Sequence, residues 1–383
     1  MPNYSGMWTL QAQMQAQGAN NWQAAPLSAG LYGWGRNGGG QLGVNDVVYR
    51  SNPIQVGNLA TWVSVSVSRS TAAIKSNGTL STWGIGSSGV LGQNDTVNRS
   101  SPVQVGALTN WSKISVGYQG YCIAIKTNGT LWGWGYNGAG NIGQNNTAST
   151  YGDYSSPVQI GADSNWLKVD VGNSSAGAIK TDGTLWTWGD NSQYGMLGLN
   201  DRDSRSSPTQ VGALTTWSDI SFGSEHAGAI KTDGTLWAWG YNGNGQLGQN
   251  DRVYRSSPVQ IGALTVWSKI SAQTNGIIAL KTDGTLWTWG FNTQGQLGQG
   301  DVVARSSPVQ VGALTTWSNI SGSYHGMATK TDGSLWIWGL NGNGQLGQND
   351  IINRSSPVQV GASYNWSVIA NMSLSYISFA IPS

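Results

Sequence analysis

A Trp-Gly dipeptide recurs at a near-constant interval, once per unit in the same register, at Trp34, Trp83, Trp134, Trp188, Trp239, Trp289 and Trp338. The intervals are 49, 51, 54, 51, 50 and 49 residues. Two further markers keep the same beat. Pro-x-Gln-x-Gly starts at Pro53, Pro102, Pro157, Pro208, Pro258, Pro308 and Pro357. A Trp opening an apolar run falls at Trp62, Trp111, Trp166, Trp217, Trp267, Trp317 and Trp366. Setting aside the first 26 residues leaves 357, or seven units of 51. A period of this size means that one supersecondary unit is copied and that each unit buries its faces only against its neighbours.

The unit reads as strands joined by turns. Residues 217 to 222, Trp-Ser-Asp-Ile-Ser-Phe, alternate apolar and polar, as a half-buried strand does. Ala227 to Lys231 is a second short strand. Asp233-Gly234 is a hairpin signal. Leu236-Trp-Ala-Trp-Gly240 is a third strand, with Trp237 and Trp239 on one face. A fourth strand at most starts at Ser257-Pro258, and its Pro suits a sheet edge. Such sheets bury both faces when seven of them stack around an axis. The expected fold is an all-β, seven-bladed β-propeller over residues 27–383. Trp side chains would fill the wedges between blades, and glycines would serve turns near the axis where blades approach closely.

The two chain ends are complementary. Trp366 to Ala370 and Ile377 to Ile381 match the first two strands of a unit, whereas Leu31 to Gly35 matches the third. The N-terminal strand is therefore expected to complete the blade begun at the C-terminus.

Composition excludes other classes. The chain has 56 Gly, 21 Trp and one Glu, Glu225, among 383 residues, which disfavours helical bundles. Charged residues are 9%, against about 25% in ordinary soluble domains. A formal net charge of +2 is no footprint for nucleic acid. No apolar run reaches about 18 residues, so no membrane-spanning helix is expected. No secretory signal is read at the N-terminus. Cys122 is alone and suits a small buried residue.

The run Asp-Gly-Thr-Leu-Trp-x-Trp-Gly-x-Asn-x-x-Gly-Gln-Leu-Gly, seen over 233 to 248 and 283 to 298, resembles the repeat of the regulator-of-chromosome-condensation family. The resemblance covers residues 27 to 383 and implies a seven-bladed propeller. Members of that family include an exchange factor for the small GTPase Ran, ubiquitin-ligase domains and proteins of unknown role, so the fold does not carry one function. The exchange factor's inserted hairpin and basic tail have no counterpart here: residues 1–26 hold no Lys or Arg. Ran exchange and nucleosome binding are not expected. Residues 1–22 are also similar to the openings of tailed-phage structural proteins.

Chemistry-bearing residues are sparse. Asp182, Asp233, Asp283 and Asp332 fall in hairpin turns, with Asn77 and Asn128 at the same position, where side-chain-to-backbone bonds are expected. His226, beside Glu225, reads as a polar loop or rim residue. Two histidines make no metal cluster, no Ser sits in a Gly-x-Ser-x-Gly elbow, and no cofactor or metal site is expected. Lys75, Lys126, Lys180, Lys231, Lys281 and Lys330 read as solvated turn charges.

Six loops carry Asp and Arg four apart: Asp46 and Arg50, Asp95 and Arg99, Asp201 and Arg205, Asp251 and Arg255, Asp301 and Arg305, Asp350 and Arg354. Each Arg is expected to reach its Asp or a carbonyl and pin the loop. The alternative is a rim of arginines that binds an acidic partner or glycan. The third unit breaks the pattern over Gln144 to Tyr154, and one irregular loop on a regular ring is where a partner contact is expected, at Asn145, Asn146, Tyr151, Asp153 and Tyr154. Residues 1–26 form an arm, with Tyr4, Met7, Trp8, Leu10 and Met14 as candidate anchoring positions.

The leading functional expectation is a non-enzymatic structural or interaction protein, a phage virion component displaying its propeller as a knob or adhesin and fixed by the arm to virion neighbours or further copies. The alternative is a cytoplasmic protein-binding module. A third is a glycan-binding propeller, with Tyr136, Tyr241 and Phe291 as stacking candidates.

Overall fold

The computed structural model describes residues 30–57, 61–147, 152–361, 365–372 and 374–382. The unit beginning at Trp217 shows how each blade forms. Its strands span Trp217–Phe222, His226–Lys231, Leu236–Gly240 and Arg255–Gln260. They pair antiparallel in chain order. The second and third are joined by the expected turn, in which the Asp233 carboxylate accepts hydrogen bonds from Thr235 N (2.9 Å) and Oγ1 (2.7 Å). Asp182, Asp283 and Asp332 do the same, and Asn77 and Asn128 stand in for them.

The fourth strand begins at Arg255, earlier than the Ser-Pro step suggested. Pairing jumps from Gly240–Arg255 to Ala238–Val259, and Pro258 sits in the skipped stretch on the sheet's outer edge. Its missing N–H therefore breaks no ladder bond. The jump also explains Gly240. Its φ is +100°, and a Cβ there would lie 2.6 Å from Glu225 O.

Among the described residues there are seven sheets, six of four strands and one of five. First strands pack against one another around the axis. Fourth strands face outward and are half-buried along their length. The core lies between blades. Ile230, Leu236 and Leu247 of one blade meet Trp267, Ile277 and Trp289 of the next. All seven Trp of the Trp-Gly strands are fully buried there, as expected from the wedge argument.

Each of these indoles also donates a hydrogen bond to the preceding blade. Trp239 Nε1 reaches Met196 O at 2.9 Å, Trp289 reaches Gln246 O at 2.9 Å, and Trp34 closes the series on Gln345 O at 2.8 Å. Glycines stand where blades approach closely both beside the first strands, where a Cβ on Gly172 would lie 2.3 Å from Gly223 O of the next blade, and farther out. A Cβ on Gly245 would sit 2.6 Å from Ser306 Cα in the next blade's outer strand. The expected close approach near the axis is thus present, and a second one lies at the outer rim, where the long loops reach over the neighbouring edge.

The ring closes as the chain ends implied. The closing sheet runs Trp366–Ile369, Ile377–Pro382, Tyr32–Gly35, Arg50–Gln55. Trp34 pairs with Ser378 across the seam. Asn371–Met372 adds a short parallel pairing to Ser66 and Val67 of the following sheet.

Candidate functional site

Strand direction gives the ring two faces. The long loops between third and fourth strands emerge on one face, and the Asp-Gly hairpins on the other. The loop from Asn242 to Arg255 shows how the first face is held. Asn242 Nδ2 donates to Asp251 O (3.1 Å) and Oδ1 (2.9 Å), while Asn242 Oδ1 accepts from Leu247 N. Asp251 Oδ1 also accepts from Val253 N at 3.0 Å. Arg255 donates through Nη2 to Asp251 Oδ2 (2.7 Å) and through Nη1 to Val253 O (2.8 Å). The same pin holds Arg99 to Asp95, Arg205 to Asp201, Arg305 to Asp301, Arg354 to Asp350 and Arg50 to Asp46. The expected reach to Asp or carbonyl is met by both at once. Hydrogen bonds from Val97 N and Arg99 hold Asp95 below the usual carboxylate range, and Asp301 is lowered likewise by Val303 N and Arg305.

The residues between Asp and Arg are left pointing into solvent. Val47, Val48, Val97, Val253, Val302, Val303, Ile351 and Ile352 are 57–66% exposed. Three consecutive blades carry a pair each: Val302–Val303, Ile351–Ile352 and, across the seam, Val47–Val48. Val253 and Val97 flank that arc. On the far side the loop between Asp201 and Arg205 is Arg202-Asp203-Ser204, so the apolar sector stops.

The irregular loop lies on the polar side. Asn146 takes the place of the pinning Asp, its Oδ1 accepting from Asn137 Nδ2 at 2.7 Å. Tyr154 opens the fourth strand where Arg stands elsewhere. Asn146 Nδ2 donates to Tyr154 OH at 2.8 Å, a neutral substitute for the salt bridge. Asp153 accepts from Asn137 N at 3.0 Å, and Asn145 adopts φ +58° while its N–H reaches Ser206 O. Tyr151 lies outside the described residues, as do Tyr4, Met7, Trp8, Leu10 and Met14 of the arm. Nearby, Tyr194, Tyr241 and Tyr254 form one aromatic cluster with centroids 4.7–5.1 Å apart. Burial raises the pKa of Glu225 beside it, and Asp190 adds to the rise.

Two sequence readings are corrected. His226 is not a rim residue. It is buried, and its Nε2 donates to Gly276 O of the next blade at 3.0 Å. Burial pulls its pKa down to about 4. The recurrent lysines are not solvated turn charges. Lys126, Lys180 and Lys231 are buried, and each ammonium lies over Trp rings: Lys231 Nζ is 3.6 Å from the Trp237 centroid and 5.0 Å from that of Trp217. The periodic Lys falls opposite the first-strand Trp in the ladder, which brings the two together. The aliphatic arc is not among the sequence expectations; its signal is the Val-Val of Asp46–Arg50 and Asp301–Arg305, the Ile-Ile of Asp350–Arg354 and the Val-Tyr of Asp251–Arg255. Cys122 is buried, as expected.

This combination defines a closed propeller with one rigid loop face and no cluster of three or more His, Cys, Asp or Glu among the described residues. The chain belongs to the regulator of chromosome condensation (RCC1) repeat family, whose model matches residues 28–74, 77–124, 182–230, 233–279, 283–328 and 332–370. Among solved structures it is similar to Prp20p from Saccharomyces cerevisiae, studied for its binding to Gsp1p and histones. That match has 18% identity and TM-score 0.81, over 95% of this chain and 94% of that one. Human WBSCR16 matches with 17% identity and TM-score 0.82, over 93% and 98%. A Caenorhabditis elegans homolog of the X-linked retinitis pigmentosa GTPase regulator is 38% identical over 84 residues, 21% of this chain and 6% of that protein. These likenesses establish the fold.

Proposed function

We propose that this protein is a protein-binding propeller that docks its partner on the aliphatic arc of the loop face and acts by binding rather than catalysis. The arc itself carries the reading. Exposed aliphatics on three adjacent blades, each held on a loop pinned by Asp and Arg, form a preorganised apolar surface of the kind that marks interaction sites. The six arginines shape that surface from beneath. The irregular loop at Asn145, Asn146, Asp153 and Tyr154 marks its polar counterpart. Both histidines and the lone cysteine are buried between strands, away from any substrate. Family membership favours the same class of role. Binding to Gsp1p and histones belongs to Prp20p and is not carried over at 18% identity.

The particle-component reading rests on the low charge content, the lack of a catalytic constellation and the arm, whose residues lie outside the described residues, and the known relatives add nothing to it. The glycan reading weakens at Tyr241, whose ring is packed against Tyr194 and Tyr254.

The test is site-specific photo-crosslinking in the source cells. A crosslinker at Ile352 is expected to give a discrete adduct that disappears in a Val48→Asp/Val303→Asp background, while one at Asp203 gives none. Equal labelling at both positions, or no adduct at Ile352, defeats the proposal. An adduct of two copies of this chain would make the partner the protein itself.

A further inference from the structure

The opposite face carries a second repeated feature. Where the fourth strand of one blade turns into the first strand of the next, a groove opens between blades. One such groove encloses about 320 Å³ between Leu314, Trp317, Lys330, Trp336 and Pro357. Its equivalent, lined by Asp163, Trp166, Trp186 and Pro208, encloses about 410 Å³.

The two grooves differ at one informative position. In the unit Gly161-Ala-Asp163-Ser-Asn-Trp166, the Asp stands where Gly312-Ala-Leu314-Thr-Thr-Trp317 has Leu. Asp163 Oδ2 accepts a bond from Lys180 Nζ at 2.7 Å. The chain thus shows how a carboxylate seats on a lysine held over two Trp rings. The ammonium even leans toward it. Lys180 Nζ is 4.1 Å from the Trp186 centroid, whereas Lys231, Lys281 and Lys330 lie 3.6, 3.5 and 3.6 Å from Trp237, Trp287 and Trp336.

Those three lysines stand on consecutive blades, and no carboxylate oxygen among the described residues comes within ion-pair distance of them. Burial lowers their pKa, and the nearby carboxylates of Asp233, Asp283 and Asp332 offset only part of that fall. The hairpin carboxylates next to them, Asp233, Asp283 and Asp332, are already occupied by Thr235, Thr285 and Ser334. Beside each lysine, Leu214, Leu264 and Leu314 are half exposed, at 48, 49 and 48%.

We propose that the notches at Lys231, Lys281 and Lys330 are carboxylate-recognition sites for an acidic peptide, taking one Asp or Glu side chain per blade against the lysine and an aliphatic neighbour against the leucine. Asp163 fills the equivalent notch from within. The surface is separate from the aliphatic arc, and neither proposal depends on the other. Repetition supplies avidity: each exposed pair is worth little, and three engaged together are worth their sum plus the saving in association entropy.

The experiment uses the full chain and a fluorescein-labelled peptide of alternating Glu and Leu, with a Gln-for-Glu peptide as control, read by fluorescence anisotropy. The Glu peptide is expected to bind and the Gln peptide to fail. Leu214→Asp/Leu264→Asp/Leu314→Asp installs the internal occupant and should weaken binding at least about tenfold. Asp163→Leu empties the notch at Lys180 and should tighten binding a few-fold. Thermal melts of each variant check that the ring is intact, and the gain in Asp163→Leu cannot arise from misfolding. Equal binding of both peptides, no binding of the Glu peptide to wild type or Asp163→Leu, or no response to the Leu→Asp changes overturns the proposal.

Discussion

Two tryptophans lie two apart on the same face of a strand such as Leu236–Gly240, yet they meet different fates. Trp239 is fully buried and donates to a carbonyl of the preceding blade. Trp237 is half-buried, roofed by Lys231, and donates to Thr235 Oγ1 at 2.8 Å within its own hairpin. Alternation places both residues but cannot say which one the neighbouring blade covers. The histidines are a sharper case. His226 donates to Gly276 O. His325 Nε2 lies 2.7 Å from Ser378 Oγ, whose own hydrogen goes to Gln345 O, so the ring donates there too. Burial holds their pKa at about 4 and about 3. The unfolded chain, with His near about 6.5, binds more protons below that pH. Stability is therefore full above about pH 6.5 and falls as pH drops toward 4, by about 3 kcal/mol per histidine. The hydrogen-bonded Asp233 and Asp283, with lowered pKa, extend the loss below about pH 4. Thermal melts should show a flat plateau from pH 8 to 7 and a decline from 6.5 to 4.5, reduced in His226→Gln. An unchanged melting temperature across that window would contradict the assignment.

At the scale of one element, the loop from Asn242 to Arg255 was partly legible. The spacing of Asp251 and Arg255 announces a pin. It does not announce that Asn242, nine residues earlier, is the hub binding both Asp251 and Leu247. In the third unit the pattern looked lost, yet Asn146 and Tyr154 rebuild the clasp without charge, eight residues apart instead of four. A hydrogen bond constrains geometry rather than sequence spacing, so the loop could lengthen once Tyr replaced Arg. The two partners of the pin are also unequal. Asp251→Ala removes acceptors for Asn242, Val253 and Arg255 and should cost about 1–2 kcal/mol. Arg255→Ala loses a half-exposed pair and should cost about 0–1 kcal/mol. Urea denaturation of both variants separates them; equal losses would mean that the salt bridge, not the Asp-centred network, holds the loop.

For the whole molecule, the decisive feature is closure. The closing sheet joins residues more than three hundred positions apart, and the seam is a bonded unit: Gln345 O accepts from both Trp34 Nε1 and Ser378 Oγ. The largest core cluster straddles it, with Tyr32, Trp34, Trp366 and Phe379 in contact with the flanking blades. A chain ending at Asn365 loses both inner strands of the closing blade and leaves two neighbouring wedges open. It should lose cooperative thermal unfolding, as followed by near-ultraviolet circular dichroism. A cooperative melt near the wild-type temperature would show that six blades suffice.

The repeat, the blade number, the hairpin turns, the Asp–Arg pins and the shared closing blade were all determined by the sequence alone, because each depends on local spacing or on counting copies. What the tertiary structure decided is what one blade does to the next. It set which Trp is sealed, that the histidines are buried donors, that lysines lie on indoles, and that Val and Ile pairs from three blades meet as one arc across the seam. Those outcomes depend on how neighbouring sheets approach, and no single repeat contains its neighbour's surface.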